Sequence, residues 1–174
     1  PIFKLPPEKV EELASQFDQV YPVNYNSPAQ TVCAGLSSSM DGFKAAVKAA
    51  GGRALPLKVS GAFHSPFMSS AAKGLAEVLA PMEFGTPSCP LYSNVTAQPY
   101  EDGQFKDLLS RQVENPVRWQ TIVENMIAAG VDTFIEVGPG KTLAGLIGKI
   151  NSDVRALNVE DAESLKHTIE EVKA

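Results

Sequence analysis

The chain has 174 residues, 44% apolar and 20% charged, with fifteen Lys and Arg against twenty Asp and Glu for a formal charge of −5. This is globular composition, able to bury roughly two-thirds of the unfolded surface, and it excludes a disordered, collagenous or coiled-coil chain. The mild acidic balance argues against a nucleic-acid surface, no apolar run reaches the length of a membrane span, and two Cys with two His are too few for a disulfide scaffold or a zinc cluster.

In chain order, Ile2 to Leu5 reads as a brief strand. Pro6 and Pro7 then open a helix whose apolar stripe is Val10, Leu13 and Phe17. Proline suits the first helical turn because that turn needs no amide donor. Val20 to Tyr25 is a second strand, residues 26–30 (NSPAQ) a turn, and Thr31 to Leu36 a third strand. Their short connection makes the pair antiparallel. Ser37 to Ser39 cap a second helix with stripe Met40, Phe43, Val47 and Ala50, and Gly51-Gly52 end it. Arg53 to Val59 adds a strand. The order β-α-β-β-α-β is ferredoxin-like. Its first strand should be central yet is the shortest, which suggests a strand truncated at its start.

After residue 60 the pattern changes. Helices are expected at 66–79, 105–113, 117–129, 141–150 and 163–172. Strands are expected at 90–95, 133–137 and 154–159. Alternating strands and helices point to a covered α/β sheet. The organisation is therefore α/β, with a small subdomain over 1–59 and a second over 60–174. PIFKLPPEKV has no signal-peptide pattern. Sparse cysteine favours a reducing, cytoplasmic setting.

His64 lies in SGAFHSPFM (60–68), between a strand end and a helix start. Gly61 there permits an unusual backbone turn. Active sites of α/β folds gather at such junctions, and a helix N-terminus keeps an imidazole neutral and basic. The same His also reads as a loop residue satisfying a carbonyl. VGPGKT (137–142) resembles a phosphate loop but lacks the GxxxxGK[ST] spacing, so it reads as a strand-to-helix turn. Asn24 and Asn26 could line a pocket or simply belong to a turn. Gln112 and Asn115 are polar residues in RQVENPVRW (111–119), whose Trp119 reads as core or pocket wall. Cys33 reads as core, and His167 as solvated surface. Ser60 and Ser65 flank His64, but no GxSxG elbow exists to supply a nucleophile.

Four stretches, PVNYNSP (22–28), GAFHSPFM (61–68), RQVENPVRW (111–119) and EVGPGKTLAGL (136–146), together resemble the malonyl-CoA:acyl-carrier-protein transacylase family. The resemblance covers nearly the whole chain. It implies a ferredoxin-like subdomain joined to the C-terminal part of an α/β-hydrolase-like acyltransferase subdomain. The family's nucleophilic Ser, on a GHSxG elbow, would lie in an N-terminal segment that this chain lacks, so activity would require that segment. His64 matches the catalytic His, and Gln112 the residue whose backbone carbonyl orients it. Phe63, Asn24 and Asn26 match substrate-side positions, and Phe63 fits selection of malonyl over branched groups. The implied reaction is malonyl transfer from malonyl-CoA to acyl carrier protein in fatty acid biosynthesis, without cofactor or metal. Two alternatives stay open: a non-catalytic carrier-protein binding module, and a trans-acting acyltransferase of polyketide synthesis.

Overall fold

The structure, a computed structural model, describes residues 1–57, 59 and 61–173. Its first six elements are β1 (Ile2–Phe3), α1 (Pro7–Ala14), β2 (Val20–Ser27), β3 (Gln30–Gly35), α2 (Ser37–Ala49) and β4 (Arg53–Ala54). The strands form one sheet in the order β2-β3-β1-β4. Every pairing is antiparallel. This is the ferredoxin-like arrangement, with β1 inside the sheet as that topology requires. The helices cover the sheet through the residues that the helical period picks out. Val10 and Leu13 of α1 and Phe43 and Val47 of α2 are buried with Ile2, Leu5 and Val20 in one cluster.

The strand ends differ from expectation for local reasons. β1 stops at Phe3 because Lys4 turns left-handed, at φ 67°. β4 stops at Ala54, short of the expected 53–59, and Lys58 of that stretch lies outside the described residues, as does Ser60 beside it. The serines do not cap α2 from outside. The helix begins at Ser37, and Leu36 occupies the cap position with no side-chain bond. Its other end closes as the paired glycines predict. Gly51 sits at φ 85°, and Gly52 donates its N–H to the Val47 carbonyl at 2.9 Å. This is the six-to-one bond of a left-handed helix stop.

The chain forms two compact units, Pro1–Ile122 and Val123–Ala174. Beyond its sheet the first unit holds a 3₁₀ turn at Pro66–Met68, α3 (Ser69–Leu79), α4 (Phe105–Arg111) and the start of α5 (Trp119–Ala128). The helix expected over 66–79 is thus split between a tight first turn and α3. The strand expected at 90–95 does not form. Ser93 and Asn94 are turn formers, and the chain reverses there. Ser93 donates its N–H to Gln98, and Ala97 donates to Ser93 with its own φ at 57°. In that stretch Tyr92 and Pro99 make one isolated bridge. α5 starts at Trp119 rather than 117 because Val117 is used elsewhere. Val117 pairs in parallel with Asn24 of β2. It accepts from the Tyr25 N–H at 2.8 Å and donates to the Val23 carbonyl at 2.9 Å.

The second unit holds β5 (Thr133–Val137), α6 (Thr142–Ile150), β6 (Arg155–Val159) and α7 (Ala162–Lys173). β5 and β6 pair in parallel, from Thr133 opposite Arg155 to Val137 opposite Val159. These strands fall where the sequence puts them. The sheet has two strands rather than three, since residues 90–95 contribute none. α7 opens on a reciprocal cap. Ser164 donates its N–H to the Asp161 carboxylate at 2.8 Å, and Asp161 donates its N–H to the Ser164 hydroxyl at 3.0 Å. The Ser164 N–H, and the Ser164 hydroxyl donating to the same carboxylate at 2.7 Å, hold the Asp161 carboxyl below its ordinary range.

Candidate active site

His64 stands just ahead of the 3₁₀ turn at Pro66. The unusual backbone that the sequence assigns to Gly61 belongs to His64 itself, at φ 62°. A β-carbon crowds the backbone there, and the strain is typically about 1–3 kcal/mol. Such a conformation persists only where neighbouring bonds over-determine it.

Two such bonds come from the end of α4. Gln112 is the residue that closes this helix. A helix leaves its last carbonyls without intrahelical partners. Here the loop supplies them in turn. Arg111 accepts from the Glu114 N–H at 3.2 Å and from the Asn115 side-chain amide at 2.8 Å. Val113 accepts from the His64 N–H at 3.1 Å. Gln112 accepts from the His64 ring, 2.8 Å from Nδ1. A carbonyl can only accept, so Nδ1 carries the proton of the neutral ring and Nε2 carries the lone pair. The imidazole is thereby a base at Nε2, with its orientation fixed from behind. A bond to a main-chain carbonyl does this without a carboxylate.

The same segment ties this site to the sheet. Residues 112–113 receive His64, and Val117 docks on β2 beside Asn24. A ring contact adds to the link. Tyr21 of β2 meets Phe67 edge to face, with centroids 5.9 Å apart.

Asn24 and Phe63 line one cavity of about 510 Å³ together with Cys33, Met40, Leu55 and Lys44. Phe63 is 48% exposed, so its ring is a wall rather than part of the core. Asn26, His64 and Gln112 are not among the residues that line this cavity. The geometry therefore joins Phe63 to Asn24, and His64 to Gln112. Phe63 and His64 are neighbours in the chain, which brings the two groups together.

The remaining candidates are structural. Burial pushes the Cys33 thiol up to about 12, so the side chain is no nucleophile at neutral pH. Burial, with a 2.7 Å bond to Glu11, raises the Tyr25 phenol above its ordinary range. Trp119, half-buried at the first position of α5, does not line the cavity. His167 is exposed on α7. In the second unit VGPGKT is a strand-to-helix turn, with Gly138 at φ 142° and Gly140 at φ 89°. Two amides at this turn and the helix start that follows it have anionic partners. The Gly140 N–H bonds the Glu160 carboxylate at 2.8 Å, and the Ala144 N–H at the start of α6 bonds the Glu136 carboxylate at 2.8 Å. Among the described residues no group of three His, Cys, Asp or Glu is placed to hold a metal ion. Nor is any helix among them long and apolar enough to cross a membrane.

Sequence reading missed Val113, whose carbonyl holds the His64 backbone, and the docking of Val117 on β2. No side-chain signal could have found either, because main-chain atoms make both contacts.

The acyl transferase domain family model matches residues 4–174. The chain is 41% identical over 164 residues to the malonyl CoA-acyl carrier protein transacylase of Escherichia coli (strain K12), covering 93% of this chain and 53% of that protein. It is 36% identical over 165 residues to the one from Bacillus subtilis (strain 168), covering 94% of this chain and 52% of that one. The chain thus spans about half the length of the curated relatives it matches. Among solved structures it superposes on the Clostridium perfringens malonyl CoA-acyl carrier protein transacylase with a TM-score of 0.95 at 38% identity, covering 99% of this chain and 56% of that one. It also superposes, with a TM-score of 0.93 at 39% identity, on a malonyl-transacylase in complex with its type II polyketide acyl-carrier protein, covering 98% and 57%.

Proposed function

We propose that this chain, which belongs to the acyl transferase domain family, carries the histidine of a malonyl transfer from malonyl-CoA to the phosphopantetheine thiol of acyl carrier protein, by way of a seryl ester, in fatty acid biosynthesis. The observation that supports this most is the His64 ring, held through Nδ1 by the Gln112 carbonyl with Nε2 left as the base.

The chemistry runs in two matched halves. A serine hydroxyl gives its proton to Nε2 as its oxygen attacks the malonyl thioester carbon. The tetrahedral adduct collapses, the C–S bond breaks, and the CoA sulfur takes the proton back from Nε2. The carrier thiol then gives its proton to Nε2 and attacks the seryl ester. The serine oxygen leaves with that proton. In both halves the Gln112 carbonyl faces the imidazolium that forms and keeps the ring from turning. Thioester and ester exchange changes no oxidation state, so the steps require no redox cofactor. Among the described residues no hydroxyl is bonded to Nε2, and the Ser65 hydroxyl is engaged by the Ala62 carbonyl. The nucleophile in this reading comes from the half of the relatives' length that this chain does not span.

Phe63 and Asn24 would meet the acyl group or its tether at the cavity, and Asn26 would lie nearby on β2. A phenyl ring beside the base leaves little room for a substituent on the α-carbon. The discrimination from one methyl is about 1–3 kcal/mol. The type II polyketide complex among the similar structures favours one second reading, the same transfer to a polyketide carrier.

The test uses the full-length protein that contains this chain, malonyl-CoA and the carrier with its phosphopantetheine arm. Malonyl loading is followed by intact mass. Replacing His64 by Ala should slow loading about 10²–10⁴-fold, the usual worth of a positioned general base. Undiminished transfer by that variant would remove His64 from the mechanism.

A further inference from the structure

We propose that Ser65 is a positioning residue for His64, locking the left-handed turn that keeps Nδ1 on the Gln112 carbonyl and Nε2 free. The inference takes its catalytic meaning from the acyl-transfer reading above, but its geometry stands apart from it.

His64 makes two bonds to consecutive carbonyls, through its N–H to Val113 and through Nδ1 to Gln112. Both form together only when the bond between N and Cα, whose rotation is φ, sets the ring at the right angle to the backbone. That angle is φ 62°, a value that side-chain-bearing residues avoid. The N–H bond to Val113 alone does not fix it. Rotation about N–Cα leaves the N–H in place and swings the ring away.

Ser65 supplies the missing constraint. Its hydroxyl donates back across His64 to the Ala62 carbonyl, so the two ends of the turn 62–65 are tied over the strained residue. The side chain is 1% exposed, so water does not compete for that bond. The Ser65 carbonyl is used at the same time, accepting the Met68 N–H at 3.0 Å to start the 3₁₀ turn. One residue therefore closes the left-handed turn with its side chain and opens the helical turn with its main chain. Another hydroxyl on this segment, that of Ser69, bonds the Pro66 carbonyl and lies outside the His64 turn.

The readout is the tautomer of the neutral imidazole, from ¹⁵N shifts of the 174-residue chain at alkaline pH. Only two histidines are present, and exposed His167 serves as the internal reference for an unheld ring. The native chain should show His64 wholly as the Nδ1–H tautomer. Replacing Ser65 by Ala should move it toward the mixture seen at His167, and Ser69→Ala should not. If Ser65→Ala does not fold, Ser65→Cys, similar in size with a weaker donor, should give an intermediate mixture. A folded Ser65→Ala or Ser65→Cys chain with the native tautomer overturns the proposal. In the full-length protein Ser65→Ala should lower kcat about 10-fold with KM for malonyl-CoA unchanged, the pattern of a misplaced base. A shifted tautomer with unchanged kcat leaves the positioning role intact and counts against the acyl-transfer reading instead.

Discussion

The ring of His64 and the carbonyl of Gln112 meet 2.8 Å apart across 48 positions of sequence. The atom used on Gln112 belongs to the main chain, and the residue closes α4 in ordinary helical geometry. Any residue that can end the helix presents the same carbonyl. Gln112→Ala should therefore keep malonyl loading within about 3-fold of the native rate, whereas His64→Ala loses about 10²-fold or more. Gln112→Pro should behave differently, because it removes the N–H that bonds Leu108 at 2.9 Å and frays the helix end. Loading rates for the three variants in the full-length protein check this. A large loss in Gln112→Ala would give the side chain a role that the geometry does not.

Phe63 borders the cavity with nearly half its surface exposed. Removing its ring opens volume without leaving a sealed hole in the core. Phe63→Ala should cost little stability yet relax selection against an α-methyl group. Competition between malonyl-CoA and methylmalonyl-CoA should shift by about 10- to 100-fold in kcat/KM, within the reach of one methyl-sized contact. An unchanged ratio would remove Phe63 from specificity.

The two cysteines should differ sharply. Cys89 is exposed and Cys33 is half-buried against the ferredoxin-like core. A thiol reagent at neutral pH should modify Cys89 first and Cys33 far more slowly, because burial keeps the Cys33 thiol protonated. The raised Cys33 value also sets a pH dependence. Between its ordinary 9.0 and about 12 the unfolded chain releases this proton and the folded chain keeps it. Stability is therefore unaffected below pH 9 and falls as pH rises through that window. Tyr25 is raised too, so its contribution has the same sign at still higher pH. Urea midpoints at pH 8 and pH 10.5 should show the fall, and Cys33→Ser should lessen it.

How far the residues foretell this depends on whether side chains or main-chain atoms do the work. The four strands and two helices of the ferredoxin-like part are legible because burial enforces periodicity. Val10 and Leu13 lie one helical turn apart, as do Phe43 and Val47, and all four are buried. The end of α2 is legible because the pair Gly51-Gly52 suits a left-handed stop. Residues 90–95 mislead because apolar Leu91, Tyr92 and Val95 suggest a strand, while Ser93 and Asn94 between them turn the chain. His64 shows the limit at the site. The sequence pattern gives the strained backbone to the nearest glycine, yet it falls on His64, which is held by long-range bonds from 112 and 113 and spanned by the Ser65 bond to Ala62. Those acceptors are carbonyls, identical at every residue, so only the resemblance pointed to Gln112 and nothing pointed to Val113.

The turn after β5 carries the last prediction. The turn VGPGKT and the first turn of α6 present the Gly140 and Ala144 amides, of the kind that hold phosphate in other loops. Here Glu160 occupies the Gly140 amide and Glu136 the Ala144 amide, each at 2.8 Å. A carboxylate there does what a bound anion would do, satisfying free donors and facing the positive end of the helix. An added anion would have to displace it and then lie beside the displaced charge. Phosphate or a nucleotide should leave the Gly140 and Ala144 amide resonances unmoved. Glu136→Ala should destabilise the chain by about 1 kcal/mol, the usual worth of a helix cap. The double variant Glu136→Ala with Glu160→Ala should be the form whose amides respond to phosphate. Saturable phosphate shifts in the native chain would mean that the carboxylates do not hold the loop, and would reopen it as an anion site.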